Sequence, residues 1–489
     1  MLRMNIWIIV CVIFVSLVPA FPADPVNHRV KDGSVYNITV DTTKTLVKAN
    51  RRLMGISFGE LVHNYAGPYG RNGKWFLNEF TTNALKELHL PLTRFYGVDD
   101  DPWSITESLD KAAELAGKLG IQQNNIVLQL EPNAAHATKA TFTPADWAKA
   151  VKYSVGKKYG FDLWEVQNEP YMGGKAYTAK SYTDQVINVS KAVKAVQPEA
   201  KIGLAISQTG GKGSEKEWRD GLIQNAAGSY DFVCPHYYSF NNNAHAESFE
   251  TLVLGENYKK FETIKEVRNL IDKANPAKKV EVIDTEWALH TETDEVSDPE
   301  YNNINGNVIG TLHRAVRLIY YIRESIMEGA SQWMLLVPRG SPGFGVIPMK
   351  GNKLFIHYYL NYYFGRYVGD EVVDISGTCP FFSEEKVKMP VIPTLVTKSS
   401  DGKTLFIIAA NGTEKQTLVC NINLKGFKAG KAKGIKLTQT DLKAPALVDK
   451  ESDIVSPTIV DIRDDGGSIK FTSPAHSVSF ITLNEKGAK

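Results

Sequence analysis

Two glutamates lie at the ends of apolar runs, and as a pair they suit acid–base and nucleophilic chemistry. Glu169 is the last residue but one of the stretch LWEVQNEP, and Glu286 is the last but one of KVEVIDTEW. Hydrolysis of a glycosidic bond needs one carboxyl group to protonate the leaving oxygen and another to attack or stabilise the anomeric carbon. We therefore predict that Glu169 is the general acid/base, with a raised pKa, and that Glu286 is an ionised nucleophile.

The pattern around these residues predicts how they are brought together. Between residues 51 and 362, eight short apolar runs alternate with segments whose apolar residues recur every three or four positions. This alternation predicts an α/β fold, a (β/α)8 TIM barrel with its active site at the carboxyl ends of the strands. Glu169 and Glu286 end the fourth and seventh runs and should face each other there. A doubly wound sheet is the alternative, but GISFGE in the first run is not a GxGxxG turn.

The C-terminal part of the chain has a different pattern. Over residues 365–489 short β-type runs separated by turn residues predict an antiparallel β-sandwich domain. The strand-like segment 34–48 precedes the barrel, and we expect it to join this sandwich. Cys379 and Cys420 lie in the sandwich region and are candidates for a disulfide, whereas Cys234 is expected to be a buried free thiol.

Four segments carry a family resemblance: GISFGELVHNYAGPYG, WEVQNEP, CPHYY and VIDTEWALH. They resemble the retaining glycoside hydrolases of clan A, and among these most closely glycoside hydrolase family 51, the α-L-arabinofuranosidase family. The resemblance covers about residues 51–370 and the C-terminal β-domain. It implies that Glu60 holds sugar hydroxyl groups and that Asn168 bonds the sugar 2-hydroxyl group. The sequence departs from the family pattern at Thr285, which is inserted before the nucleophile.

Other side chains at strand ends are candidates for contacting the glutamates or the substrate. Arg94 ends the second run and is placed to keep Glu286 ionised. His236 ends the sixth run together with Tyr237 and Tyr238, and one of these tyrosines is expected to donate to the nucleophile.

Aromatic residues near the seventh and eighth runs suit a stacking surface under a sugar ring. Trp287 and Trp333 are the candidates, and packing inside the barrel is the alternative for both. Glu131, at the end of the third run, is the next candidate for the acid/base if Glu169 only caps a helix.

The composition argues against several other partners. Lys and Arg number 56 against 54 Asp and Glu, a formal charge of +2, so there is no strong basic field for nucleic acid. The ten His residues show no HxH or HExxH spacing, so we expect no metal and no other cofactor.

The N-terminus has the features of a targeting signal. Arg3 supplies a positive charge, residues 6–18 form an apolar run, and small residues follow. This order predicts a signal peptide over residues 1–23, with an uncleaved anchor as the alternative. We expect a secreted or periplasmic protein that has no membrane association after cleavage.

Together these features predict a secreted retaining glycoside hydrolase that cleaves oligosaccharides or polysaccharides by a two-carboxylate double displacement. By resemblance the activity is that of an α-L-arabinofuranosidase, with a β-xylosidase, β-glucuronidase or endoglucanase of the same clan as alternatives. The alternative from another class is a non-catalytic carbohydrate-binding protein on a former hydrolase barrel. Loss of one carboxylate would mark such a protein, and the sequence keeps both.

Overall fold

The computed structural model describes residues 34–487 apart from nine internal gaps. The gaps are 62–66, 96–102, 131–141, 173–176, 210–212, 242–246, 292–303, 338–343 and 385–386. The predicted signal peptide, residues 1–23, and Glu131 lie outside the described residues. In the part of the chain that is described, no helix combines the length and the apolar character needed to span a bilayer.

Eight parallel strands form a barrel in the spatial order β1, β8, β7, β6, β5, β4, β3, β2. They are β1 (Gly55–Ile56), β2 (Thr93–Phe95), β3 (Ile126–Gln129), β4 (Leu163–Val166), β5 (Lys201–Ala205), β6 (Phe232–Cys234), β7 (Glu281–Trp287) and β8 (Gly329–Gln332). Ile56 N donates to Leu92 O at 3.2 Å and Phe58 N to Arg94 O at 3.1 Å, which joins β1 to β2. The predicted (β/α)8 barrel is confirmed.

Helices follow the strands, as the apolar spacing predicts. They are α1 (Glu79–Glu87), α2 (Ile105–Leu119), α3 (Pro144–Gly156), α4 (Ala179–Lys194), α5 (Glu256–Ala274), α6 (Val308–Glu324) and α7 (Ile356–Tyr367). Between β5 and β6 there are three short turns of helix instead, Ser214–Lys216, Glu217–Gly221 and Leu222–Asn225. Ser104, Thr143 and Thr178 cap α2, α3 and α4 by accepting from backbone N–H groups, which fixes where these helices begin.

The C-terminal domain is a β-sandwich formed by a ten-stranded, mostly antiparallel sheet. Its strands in spatial order are Val455–Pro457, Ala429–Thr438, Ser477–Glu485, Thr404–Asn411, Thr394–Lys398, Glu371–Thr378, Val35–Lys48, Leu418–Lys425, Ser468–Ser473 and Val460–Arg463. Val35–Lys48 lies within the sheet, antiparallel to Glu371–Thr378 and parallel to Leu418–Lys425. The described chain therefore passes from this sheet into the barrel and back again.

The cysteines of the described chain are free thiols: Cys234, Cys379 and Cys420. The strand Val35–Lys48 lies between the strands that carry the two cysteines. On one side its Tyr36 pairs with Cys420, and on the other side it pairs with Glu371–Thr378, the strand that ends just before Cys379. Neighbouring strands are ~4.8 Å apart, so the intervening strand separates these two cysteines by about two spacings. A disulfide needs Cα atoms within ~7 Å, which explains why the pair does not form.

Candidate active site

Glu286, near the end of β7, is held by two hydrogen-bond donors in the barrel mouth. Arg94 on β2 donates from Nη1 to Glu286 Oε1 at 2.5 Å, and the hydroxyl of Tyr238 donates to Oε2 at 2.7 Å. The Glu286 side chain is buried. Of the two tyrosines considered from the sequence, Tyr238 is the one that contacts this carboxylate, whereas Tyr237 is buried with no hydrogen-bond partner for its hydroxyl among the described residues.

Arg94 is itself held by a buried carboxylate. Its Nε and Nη2 atoms donate to the two oxygens of Glu165 at 2.6 and 2.9 Å, and both side chains are fully buried. Such a bidentate pair fixes the plane of the guanidinium group. Sequence reasoning missed Glu165, although an acidic residue inside the buried strand β4 was a signal that could have identified it.

Two binding residues assigned by resemblance have different surroundings. Asn168 Oδ1 accepts from Arg94 Nη2 at 2.7 Å, so its amide nitrogen is the end that is left to donate to a sugar hydroxyl. Glu60 is half-buried just beyond β1, next to Gly59, which pairs with Phe95 at the end of β2. The sugar contacts of both residues stay predictions.

Glu169, just beyond β4, contacts two different donors. His236 Nδ1 lies 2.8 Å from Glu169 Oε1, and the hydroxyl of Tyr171 donates to the same oxygen at 3.2 Å. Glu169 is half-buried, in contrast to Glu286. The backbone φ is 43° at Glu169 and 48° at His236, in the left-handed region that most side chains avoid. Strain of this kind is concentrated at sites where side chains must be aimed.

β7 contains one extra residue beside the site. Ala330 of β8 lies opposite Asp284, and Gln332 lies opposite Trp287, so β7 advances by three residues where β8 advances by two. This is a β-bulge, a device that redirects side chains near active sites. It accommodates Thr285, the residue at which the sequence departs from the family pattern.

Side chains of β7 near the bulge lie on both sides of the barrel wall. Thr285 Oγ1 lies 3.0 Å from His236 Nε2 inside the barrel, whereas Asp284 Oδ2 accepts from the hydroxyl of Tyr321 on α6 at 2.8 Å. Trp287 is fully buried, with its ring centroid 5.6 Å from that of Tyr321. The prediction that Trp287 stacks under a sugar is therefore wrong, because its side chain points to the helix layer.

Burial and charge set the protonation of the site. Burial opposes the charged form of His236, but Glu286, Glu165 and Glu169 outweigh it and raise the pKa of His236 to about 10. Burial raises the pKa of Glu286, and the opposing charges of His236 and Arg94 do not outweigh it. Burial acts on Glu169 in the same direction, but the hydrogen bond and charge of His236 outweigh it and lower the pKa of Glu169. The raised pKa predicted for Glu169 is therefore not found, and the raised pKa of His236 favours the imidazolium form beside it.

Glu169 and Glu286 open into a cavity of about 510 Å³, within the ~300–1,000 Å³ that is usual for ligand sites. Trp333 lines this cavity, as a stacking residue must. One wall is an aromatic cluster with neighbouring centroids 5.1–6.3 Å apart, formed by Tyr238, Phe240, His290 and Phe344. Another wall combines hydroxyl, amide and indole groups from Ser207, Gln208, Thr209 and Trp218.

One group of described residues has the spacing needed to hold a cation. Glu169, His236 and Glu286 each offer one ligand atom within 4.8 Å of the others. Histidine binds a metal as the neutral imidazole, and the raised pKa of His236 opposes that form at neutral pH. The group is therefore better suited to moving a proton than to holding a metal.

Several solved structures that are similar to this chain are glycoside hydrolases. The α-L-arabinofuranosidase of Thermotoga maritima, solved as an arabinose complex, is 19% identical over 92% of this chain and 100% of its own, with a TM-score of 0.71. The GH51 arabinofuranosidase of Xanthomonas axonopodis pv. citri is 17% identical over 92% and 99%, with a TM-score of 0.70. A glucosidase from Croceicoccus marinus is 14% identical over 92% and 99%, with a TM-score of 0.63.

No protein-family model matches the sequence, and no curated protein sequence matches it. The structural similarity therefore extends to the fold, a barrel with a C-terminal β-domain. At that level the resemblance to family 51 noted in the sequence is confirmed.

Proposed function

We propose that this protein is a retaining glycoside hydrolase that acts on α-L-arabinofuranosides. The observation that carries the proposal is that one oxygen of Glu169 lies within 4.8 Å of one oxygen of Glu286. Carboxyl groups of retaining enzymes are ~5–5.5 Å apart, whereas those of inverting enzymes are ~6.5–9.5 Å apart to admit a water. The fold shared with arabinofuranosidases supports the choice of sugar.

The reaction proceeds through two displacements at the anomeric carbon. Glu286 attacks that carbon, the bond to the leaving oxygen breaks, and Glu169 gives its proton to the departing oxygen. A water then attacks the same carbon, Glu169 takes the proton of that water, and the bond to Glu286 breaks. Arg94 and Tyr238 stabilise the carboxylate of Glu286 before it attacks and after it is released.

The proton that Glu169 donates comes from His236. The two groups share one hydrogen bond at 2.8 Å, and the proton can move along it from Nδ1 to Oε1 without changing the number of protons in the site. Glu169 then reacts as an acid although its own pKa is lowered. This pair of groups replaces the single glutamic acid of raised pKa expected from the sequence.

The choice between a neutral sugar and a uronic acid depends on the groups that line the cavity. A glucuronidase needs a cation or an equivalent cluster for the uronate carboxylate, and no Lys or Arg is among the described residues that line the cavity. Arg94 lies beneath it but is already engaged by Glu165, Glu286 and Asn168. His236 and the hydroxyl and amide groups of Ser207, Gln208 and Thr209 do line the cavity, so the choice of a neutral pentoside rests on the fold shared with arabinofuranosidases.

We also propose that the protein is exported through the segment 1–23. The positive charge, the apolar run and the small residues that follow support this. N-terminal sequencing of the protein from its secreting host should give a first residue near 21–24; an intact N-terminus in the cytosol would contradict export.

A panel of 4-nitrophenyl glycosides tests the enzymatic proposal. We expect hydrolysis of the α-L-arabinofuranoside to exceed that of the β-xyloside, β-glucoside and β-glucuronide, with loss of activity in Glu286→Gln. NMR of the first product should show the anomeric configuration of the substrate. An inverted first product would contradict the double displacement, and binding without hydrolysis would favour the carbohydrate-binding alternative.

A further inference from the structure

Gln208 lies in the wall of the cavity and takes no part in the two displacements. It follows β5, is 8% exposed and lines the cavity. Lys260 on α5 donates from Nζ to Gln208 Oε1 at 2.8 Å. Because an ammonium group only donates, this contact decides which end of the amide faces Lys260. Among the described residues, none accepts a hydrogen bond from Gln208 Nε2.

The position of Lys260, next to Gln208, disfavours its charged form. It is half-buried, and burial together with the charge of Arg317 lowers the pKa of Lys260 to about 8. A partly buried ammonium needs a partner that accepts its hydrogens. Gln208 is that partner, and the contact with the half-buried Lys260 fixes the direction of the Gln208 side-chain amide.

Gln208 lies on the side of the cavity that holds the acid/base. Its neighbour Ser207 donates from its backbone N to the carbonyl of Trp218 at 3.0 Å, and the ring of Trp218 lies 6.5 Å from that of Tyr171. Tyr171 in turn bonds Glu169. In the proposed reaction the leaving group lies next to the proton donor, Glu169, and on the side away from the nucleophile, Glu286. The wall made by Gln208 and Trp218 therefore borders the leaving group.

We propose that Gln208 binds the sugar that leaves, by donating from Nε2 to one of its oxygens, and that Lys260 is the residue that positions this amide. The inference rests on the proposed glycosidase function and makes the substrate an oligosaccharide. The ring of Trp218 supplies the apolar surface on which a sugar packs. An aryl leaving group has no hydroxyl group for Gln208 to bind.

The test compares two substrates with the same glycone, α-1,5-linked arabinotriose and 4-nitrophenyl α-L-arabinofuranoside. Gln208→Met and Lys260→Met should each lower kcat/KM on arabinotriose by about 3- to 10-fold through KM, the size of one neutral hydrogen bond. Both should leave the nitrophenyl substrate within about twofold of wild type. The double variant should lose no more than Gln208→Met, because the two residues act as one unit.

Two further variants separate positioning from folding. Lys260→Arg keeps a donor and should restore most of the activity on arabinotriose. Lys265→Met changes an exposed lysine of the same helix and should alter neither substrate. Equal losses on both substrates, or no loss on arabinotriose, would overturn the inference. A wild-type protein inactive on both substrates would instead overturn the proposed function, and the inference with it.

Discussion

The nucleophile side and the acid/base side of the cavity differ in the burial of their glutamates and in the groups that bond them. Glu286 is buried and receives hydrogen bonds from a guanidinium group that Glu165 locks in place. Glu169 is half-buried and receives hydrogen bonds from an imidazole and a phenol. The first side fixes one carboxyl group in position, whereas on the second side a proton can pass between His236 and Glu169.

This difference follows from what each group must do. A nucleophile needs one geometry, and the bidentate pair of Arg94 with Glu165 fixes the direction of the hydrogen bond to Glu286. Burial nevertheless outweighs the charge of Arg94 and leaves the pKa of Glu286 raised. A general acid/base must gain and lose a proton in each turnover, so it needs a partner with which to share it. Variants that break one side should therefore give different signatures from variants that break the other.

The largest effect is expected from Glu286→Ala. Without the nucleophile no covalent intermediate can form, so kcat should fall by more than about 10⁴-fold. Azide or formate can enter the cavity left behind and attack from the same face, restoring part of the activity with an inverted product. The measurement is kcat with and without the anion, together with NMR of the product. Activity of a few per cent without added anion would remove Glu286 from this role.

Glu169→Ala should show a loss that depends on the leaving group. On an oligosaccharide the missing proton should cost about 10²–10⁴-fold. A 2,4-dinitrophenyl glycoside leaves without protonation, so its first step should stay fast, and a burst should report slow hydrolysis of the intermediate. Rapid-quench kinetics on both substrates checks this. Equal losses without a burst would move the acid/base elsewhere, with Glu131 as the next candidate.

His236→Gln should change the pH dependence more than the maximum rate. Because the pKa of His236 is about 10, the shared proton should stay in the wild-type site until the pH rises through that value. In the variant the proton must reside on Glu169 alone, so the alkaline limb of kcat/KM should move down by about 2 pH units or more. Tyr171→Phe removes the longer bond to the same oxygen and should move the limb much less. An unchanged limb in His236→Gln would separate His236 from the proton.

The sequence predicted the framework of this site well. The positions of Glu169, Glu286 and Arg94 followed from strand order alone, because residues at the carboxyl ends of barrel strands converge whatever their loops do. Which tyrosine faces inward did not follow, since Tyr237 and Tyr238 are adjacent and only their register distinguishes them.

Other features depend on contacts that no local pattern encodes. The bulge in β7 is one such feature, because it lets both Thr285 and Glu286 face the site. Trp287, by contrast, could have been excluded from the sequence, because strand alternation points it away from the side of its neighbour Glu286. The protonation of Glu169 was misjudged because it depends on His236, 67 positions away along the chain. The pairing of Cys379 with Cys420 fails because a strand from before the barrel lies between them.

The smallest and most specific effect should come from the inserted residue itself. Thr285 Oγ1 lies 3.0 Å from His236 Nε2 inside the barrel, and both side chains are buried. When His236 is charged, both ring nitrogens donate, so Thr285→Val removes an acceptor from the imidazolium form and should lower its pKa.

We expect the alkaline limb of Thr285→Val to move in the same direction as in His236→Gln but less far, and kcat/KM to fall by about 2- to 10-fold. The effect is limited because Glu165 Oε1 lies 3.8 Å from the same nitrogen and can take over part of the interaction. Thr285→Ser keeps the hydroxyl group and should behave like wild type in the same pH series. Suppose instead that Thr285→Val and Thr285→Ser lost activity equally and that the alkaline limb of kcat/KM did not move. Thr285 would then act through packing of the bulge and not through the proton of His236.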